Sequence, residues 1–98
     1  MFTVYALYSE KYDKIYIGVT SNIQQRMLSH NQLSKKGWTV RFRPWVIVHT
    51  EEFQDKQLAL KREKQLKTAK GREFIREIIA AGSYPPDGGQ QFESGPRY

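Results

Sequence analysis

The sequence contains no cysteine, no long apolar run and fewer acidic than basic residues. The lack of cysteine excludes disulfide frameworks and thiolate metal sites. No apolar stretch approaches the roughly 18 residues that a membrane-spanning helix needs, so we expect no membrane partner. The first residues also lack a basic segment followed by an apolar one, which predicts that there is no signal peptide. These absences are typical of a cytoplasmic protein.

Positive charge is in excess, because 16 Lys and Arg stand against 10 Asp and Glu. Between residues 35 and 76 the imbalance is steeper, with twelve basic and five acidic residues. Such a segment attracts polyanions, nucleic acid first among them, although a merely solvated helix surface is the alternative. Trp38, Phe42 and Trp45 are interleaved with two arginines, and rings and guanidinium groups both stack on nucleobases. We therefore predict a nucleic-acid-binding surface that comprises Arg41, Arg43, Lys61, Arg62, Lys64, Lys67 and Lys70.

Hydrophobic patterning predicts three strands and three helices in the order β-β-α-β-α-α. The strands are predicted over 3–8, 14–19 and 44–50, and the later helices over 56–68 and 72–81. Ser21 with Gln24 three residues later forms a capping-box pattern, which predicts the start of the first helix. Asp55 is the predicted N-cap of the second helix, and Gly71 is predicted to separate it from the third. This order is typical of an α+β fold in which helices flank a small three-stranded antiparallel sheet.

The chain is predicted to form one domain over residues 1–81, since 39% of its residues are hydrophobic. The second helix is predicted to bury an apolar stripe that comprises Leu58, Ala59, Leu66 and Ala69. Residues 82–98 are rich in glycine and proline and have little to bury, which predicts a flexible C-terminal tail.

Three side chains are predicted to converge near the end of the second strand. Tyr16 comes just before Gly18, where the backbone can be approached closely. Arg26 and His30 are four residues apart, so they would share one face of a helix.

Two short motifs carry a family resemblance. "TVY" at 3–5 and "YIG" at 16–18 are separated by ten residues, and "LKREKQLK" follows at 60–67. In this order they resemble the signature of the GIY-YIG nucleases and the helix with that family's metal-binding glutamate. The resemblance covers residues 2–79 and is strongest to the compact single-domain bacterial branch. It implies a catalytic set that comprises Tyr5, Tyr16, Arg26, His30 and Glu63.

The chain departs from the family pattern at two places. Thr3 and Val4 stand where the signature has glycine and isoleucine. Many members also have a late asparagine near the metal, but none follows Asn31 in this chain. Whether Lys67 or Thr68 takes its place is left open by the sequence.

The chemistry of phosphodiester hydrolysis fits the residues that the resemblance implies. Mg²⁺ or Mn²⁺ binds one or two carboxylates together with waters and phosphate oxygens, so Glu63 suffices as the protein ligand. Arg26 offers a permanently charged, planar fork for the phosphate. A phenol is a weak base at neutral pH unless nearby cations lower its pKa. This favours Tyr16 as the general base and Tyr5 as the group that positions the water, although the two roles could be exchanged.

The resemblance implies a divalent-metal-dependent endonuclease that hydrolyses DNA phosphodiester bonds in DNA repair or recombination. RNA is a possible substrate as well. One alternative is a nucleic-acid-binding module of the same fold with weak or no cleavage activity, and another is a basic protein–protein adaptor. A chain of 98 residues leaves little room for a targeting domain. We therefore expect specificity to come from the basic surface, a homodimer or a protein partner.

Overall fold

A computed structural model describes residues 1–33 and 35–82. The elements within them follow the order β1 (Phe2–Ser9), β2 (Lys14–Thr20), α1 (Ile23–Leu28), a π-helical segment (Ser29–Leu33), a 3₁₀ helix (Trp38–Phe42), β3 (Val46–Phe53), α2 (Lys56–Leu66) and α3 (Ala69–Ala81). The three strands form one antiparallel sheet with the order β2-β1-β3. The predicted α+β class and the order β-β-α-β-α-α are confirmed.

Helices pack on both faces of the sheet, over the central strand β1. Its four residues from Val4 to Leu7 are at most 1% exposed. Alternate side chains point to opposite faces of a strand, so the sheet has two cores. One core lies against α2 and α3 and comprises Val4, Ala6, Ile15, Ile17, Val48, Ala59, Leu66 and Ile75. The other lies against α1 and comprises Tyr5, Leu7, Met27, Trp45 and Ile47.

The start of α1 differs by one residue from the prediction. The N-cap is Asn22 instead of Ser21, because the Asn22 side chain accepts a hydrogen bond of 3.1 Å from the Gln25 backbone N–H. Asparagine and serine are comparable N-caps, so the sequence alone does not decide between two adjacent candidates. The region after α1, predicted as a loop, contains the π-helical segment and the 3₁₀ helix instead.

The junction of α2 and α3 also differs from the prediction. Asp55 caps α2 as expected, but α2 ends at Leu66 and Thr68 caps α3. Gly71 therefore lies inside α3 and does not separate the helices. A Cβ atom on Gly71 would lie 2.4 Å from the Gln65 carbonyl oxygen. Gly71 is needed because the first turn of α3 packs directly on the end of α2.

Part of the predicted apolar stripe of α2 is exposed. Ala59 and Leu66, two turns apart, are buried. Leu58 is 53% exposed and Ala69 is also exposed, so both predictions are wrong. The buried stripe is narrower than predicted, and Leu58 lies about 100° around the helix from Ala59.

The last described helix is α3. α3 ends at Ala81, and Gly82 follows in the left-handed conformation with φ of 65°. From residue 83 the predicted tail lies outside the described residues. In the described part of the chain, no helix combines the length and the apolar character that crossing a membrane would take.

Candidate active site

Tyr5 lies at the centre of a cluster that joins the sheet to α1. It is 1% exposed on β1 and stands opposite Gly18 of β2. A Cβ atom on Gly18 would lie 2.6 Å from the Tyr5 hydroxyl oxygen. The glycine of "YIG" therefore leaves the space that the phenol of "TVY" occupies.

A chain of hydrogen bonds runs through the Tyr5 hydroxyl. Arg26 Nε donates to Tyr5 Oη over 3.4 Å, and Tyr5 Oη lies 2.9 Å from His30 Nε2. The other ring nitrogen, His30 Nδ1, lies 3.1 Å from Thr39 Oγ1. Because the Tyr5 oxygen accepts from Arg26, its own proton points to His30 Nε2. A neutral His30 then carries its proton on Nδ1, and this N–H donates a hydrogen bond to Thr39 Oγ1.

The electrostatics keep the two central groups neutral. Burial lowers the pKa of His30 from 6.5 to about 4, and the charges of Arg26 and Arg43 act in the same direction. Burial also raises the pKa of Tyr5 to about 12, although the hydrogen bond from Arg26 opposes this shift. At neutral pH Tyr5 is thus a hydrogen-bond donor and His30 its acceptor.

Protonation of His30 should destabilise the fold. Its pKa is about 4 in the folded protein and near 6.5 in the unfolded chain, so the unfolded state binds more protons between these values. The contribution of neutral His30 to the free energy of unfolding is complete above about pH 6.5. It is lost as the pH falls toward 4, by about 3 kcal/mol in all. Urea unfolding across this range measures it. His30→Gln should flatten the pH dependence, and an unchanged slope in that variant would contradict the assignment.

Tyr16 and Arg26 lie beside this chain and face solvent in part. The Tyr16 ring centroid is 4.8 Å from that of His30 and 6.2 Å from that of Tyr5. The hydrogen bond to Tyr5, and more weakly an interaction with Tyr16, raise the pKa of Arg26. Arg26 itself is exposed. The predicted convergence therefore exists, but it centres on Tyr5, whereas the sequence pattern pointed to Tyr16.

Glu63 approaches the cluster from α2. Its side chain is 21% exposed, and its carboxylate lies close enough to Tyr5 to raise the pKa of the phenol. Lys67 Nζ forms an ion pair of 3.0 Å with Glu63 Oε2. Lys67, one of the two residues considered for the late asparagine position, therefore contacts the predicted metal ligand. Thr68, the other, uses its hydroxyl to cap α3.

The donor set at Glu63 fits a hydrated hard cation. Within residues 1–33 and 35–82, no group of three or more His, Cys, Asp or Glu could hold a metal. A fully protein-ligated site is therefore absent from this part of the chain. Mg²⁺ needs only one or two carboxylates with waters and phosphate oxygens. The partly buried Glu63 carboxylate, already paired with a cation, meets that requirement.

Besides Lys67, which pairs with Glu63, two residues of the predicted nucleic-acid-binding surface have local partners. Arg62 binds both carboxylate oxygens of Glu51, at 2.8 and 3.0 Å. Burial alone would raise the pKa of Glu51, but Arg62 and His49 outweigh it and lower that pKa. Arg43 donates to the backbone carbonyls of Ser29 and His30 and so holds the π-helical segment. The exposed basic residues of the predicted set are Arg41, Lys61, Lys64, Lys67 and Lys70.

Sequence reasoning missed Thr39 and misjudged Trp45. Thr39 is 9% exposed and is the second hydrogen-bond partner of His30. Its backbone carbonyl accepts a bond of 2.8 Å from Trp45 Nε1. Trp45 is 1% exposed, so it packs in the core and offers no surface for stacking. Since 3₁₀ helices are short, the sequence had no periodic signal for the segment that holds Thr39.

The fold and this cluster define a family. A three-stranded antiparallel sheet holds two tyrosines, α1 brings an arginine to them, and α2 carries a glutamate whose charge acts on Tyr5. Residues 1–76 match the family described as the GIY-YIG catalytic domain. The chain therefore belongs to the GIY-YIG family, which is a family of nucleases that generally use divalent metal ions. The resemblance noted in the sequence is confirmed.

Proteins similar to this chain occur in bacteria and archaea. A UPF0213 protein of Staphylococcus haemolyticus is 32% identical over 68 residues, which cover 69% of this chain and 83% of that protein. A UPF0213 protein of Bacillus velezensis is 32% identical over 68 residues, which cover 66% and 69%. One from Natronomonas pharaonis is 32% identical over 56 residues, which cover 57% and 66%. Their names state no activity or substrate. No solved structure matches the chain.

Proposed function

We propose that this protein is a divalent-metal-dependent endonuclease that hydrolyses DNA phosphodiester bonds. The observation that carries the proposal is the hydrogen-bonded cluster of Tyr5, Arg26 and His30 beside the partly exposed Tyr16. Arg26 is exposed although its Nε donates to the buried Tyr5 hydroxyl, which is an arrangement suited to an anionic ligand. DNA repair and recombination are processes that require such an enzyme. The basic surface, a homodimer or a protein partner would supply the specificity, and the cytoplasm is the proposed location.

The side chains divide the catalytic work. Arg26 binds the scissile phosphate and neutralises the charge that grows on it in the transition state. Tyr5 stays protonated, because its pKa is about 12, and orients the phosphate or the water as a donor. Tyr16 is then the tyrosine that takes the proton from the attacking water. Neutral His30 and Thr39 hold Tyr5 in place.

Glu63 would hold the metal ion together with waters and oxygens of the substrate. A bound Mg²⁺ or Mn²⁺ would lower the pKa of the nucleophilic water and offset phosphate charge. Such an ion would compete with Lys67 for this carboxylate, because Lys67 pairs with Glu63 Oε2.

This competition also supports the alternative function. With Lys67 on Glu63, the carboxylate is neutralised without any metal. If no metal ion bound this carboxylate, the chain would be a nucleic-acid-binding module of the same fold with weak or no cleavage.

Incubation with flapped, branched and duplex DNA separates the two functions. In Mg²⁺ we expect cleavage of at least one of these substrates, and EDTA should abolish it because Glu63 alone cannot replace the ion. Binding that weakens with added salt, without cleavage in Mg²⁺ or Mn²⁺, would instead establish the binding module.

A further inference from the structure

An exposed aromatic strip lies next to the catalytic cluster. Trp38 on the 3₁₀ helix is 46% exposed, and its ring stacks on Tyr16 at 6.4 Å between centroids with an interplanar angle of 27°. Phe42 lies 4.7 Å from Trp38, and Tyr12, which is 42% exposed, lies edge-on to Phe42 at 5.5 Å. These three residues, Trp38, Phe42 and Tyr12, form the aromatic strip.

Cations surround the aromatic strip. Lys14 Nζ lies 5.6 Å from the ring centroid of Phe42, and the Arg41 guanidinium lies 5.8 Å from the same ring. Lys11 Nζ lies 5.5 Å from the ring of Tyr12. An apolar protein partner would have to desolvate these charges, at a cost. A nucleotide satisfies both features, since its base stacks on a ring while its phosphate meets a cation.

Trp38 is more exposed than a tryptophan that serves only to fill the core. The neighbouring tryptophan, Trp45, is 1% exposed and fills the core on this side of the sheet. Trp38 covers Trp45 at 5.7 Å between centroids, yet nearly half of its own surface stays in contact with solvent. Large exposed aromatic surfaces of this kind commonly mark binding sites.

We infer that Trp38 is a stacking platform for an unpaired nucleobase next to the phosphate that Arg26 holds. Trp38 stacks directly on Tyr16, so the platform lies beside the proposed general base. Bases inside a duplex already stack on their neighbours and offer no free face. The substrate class is therefore DNA with at least one unpaired nucleotide at the cut, as in a flap, a gap or a single strand. The position of the cut rests on the proposed function, whereas the stacking itself does not.

Binding in EDTA tests the stacking without cleavage. The probes are a fluorescein-labelled oligothymidine and a strand of the same length and charge that lacks bases. Trp38→Leu keeps an apolar side chain and removes the ring, so it should weaken binding to oligothymidine by about 5- to 150-fold. Trp38→Phe should retain most of the affinity. Neither variant should change binding to the strand without bases.

Two further readouts make the test specific. Phe74→Leu is the matched control, since Phe74 is a 40% exposed ring on α3, on the other side of the sheet, and its loss should leave oligothymidine binding unchanged. Oligothymidine should also quench the fluorescence of Trp38, with no such quenching in Trp38→Phe, because the remaining Trp45 is buried. Circular dichroism confirms that the variants fold.

The outcomes separate this inference from the proposed function. If Trp38→Leu binds oligothymidine as tightly as the wild type does, and neither protein prefers oligothymidine to the strand without bases, the stacking role is overturned. This holds even if the protein cleaves DNA in Mg²⁺. Trp38-dependent binding of oligothymidine without any cleavage would support the stacking role and refute the nuclease. If the protein cleaves flapped DNA, Trp38→Leu should slow that reaction more than any nicking of fully paired DNA, and equal rates would again overturn the inference.

Discussion

Replacing Glu63 by glutamine should abolish metal-dependent cleavage and leave the fold and the DNA affinity intact. Glutamine has the same shape but carries no charge, and Mg²⁺ prefers carboxylate oxygens. The fold should tolerate the change, since the lost ion pair with Lys67 is an i,i+4 helix pair of the kind that contributes about 0.3–0.5 kcal/mol.

Single-turnover cleavage in Mg²⁺ and Mn²⁺ measures this effect, with thermal unfolding and DNA binding in EDTA as companion measurements. Glu73→Gln is the matched control, because Glu73 is an exposed glutamate on α3. This variant should cleave DNA at the wild-type rate. Undiminished cleavage by Glu63→Gln would mean that the ion is held elsewhere. A further variant, Lys67→Ala, should lower the metal concentration needed for half-maximal rate, since it removes the competing cation.

Arg26→Ala should lower the cleavage rate far more than it weakens DNA binding. A preorganised group that meets charge developing in the transition state contributes to the rate and adds little to ground-state affinity. Loss of one such contact costs roughly 10²–10³ in rate. Arg41→Ala provides the contrast, since this exposed arginine lies outside the hydrogen-bonded cluster and should affect binding in preference to rate.

Tyr16→Phe should show a similar loss of rate, because it removes only the hydroxyl and keeps the ring against His30 and Trp38. Single-turnover cleavage beside a binding titration measures both variants, and Tyr12→Phe controls for the loss of a tyrosine hydroxyl nearby. Wild-type rates in either variant, or equal losses of binding and cleavage, would show that the residue only docks the substrate or supports the core.

The sequence predicted the sheet and the convergence of the cluster because both follow from local patterns. Runs of β-forming residues place Tyr5 and Tyr16 on neighbouring strands, and a spacing of four residues places Arg26 with His30. Both patterns are preserved in the structure, even though His30 lies in a π-helical segment, a form that is frequent at functional sites.

The features that the sequence missed depend on contacts between distant segments. Gly71 looks like a helix breaker, and only the packing of α3 on α2 reveals that it permits a close contact. Arg62 looks like an exposed cation until the packing of α2 beside β3 brings Glu51 within hydrogen-bond distance of it. Trp38 and Trp45 are the same residue type, so composition does not distinguish them. Trp38 is exposed and Trp45 is buried, since only Trp45 immediately precedes a strand of the sheet.

The two halves of the cluster around Tyr5 belong to parts of the protein with different local stability. Tyr5 lies on a central strand that is paired along both edges, so its backbone moves only when the whole sheet opens. Arg26 lies on α1, a helix of six residues, which is too short to be stable without its contacts to the sheet. Mild warming would therefore free Arg26 from Tyr5 while the sheet is still folded. The proposed cleavage activity would then be lost reversibly, well below the temperature at which the domain unfolds.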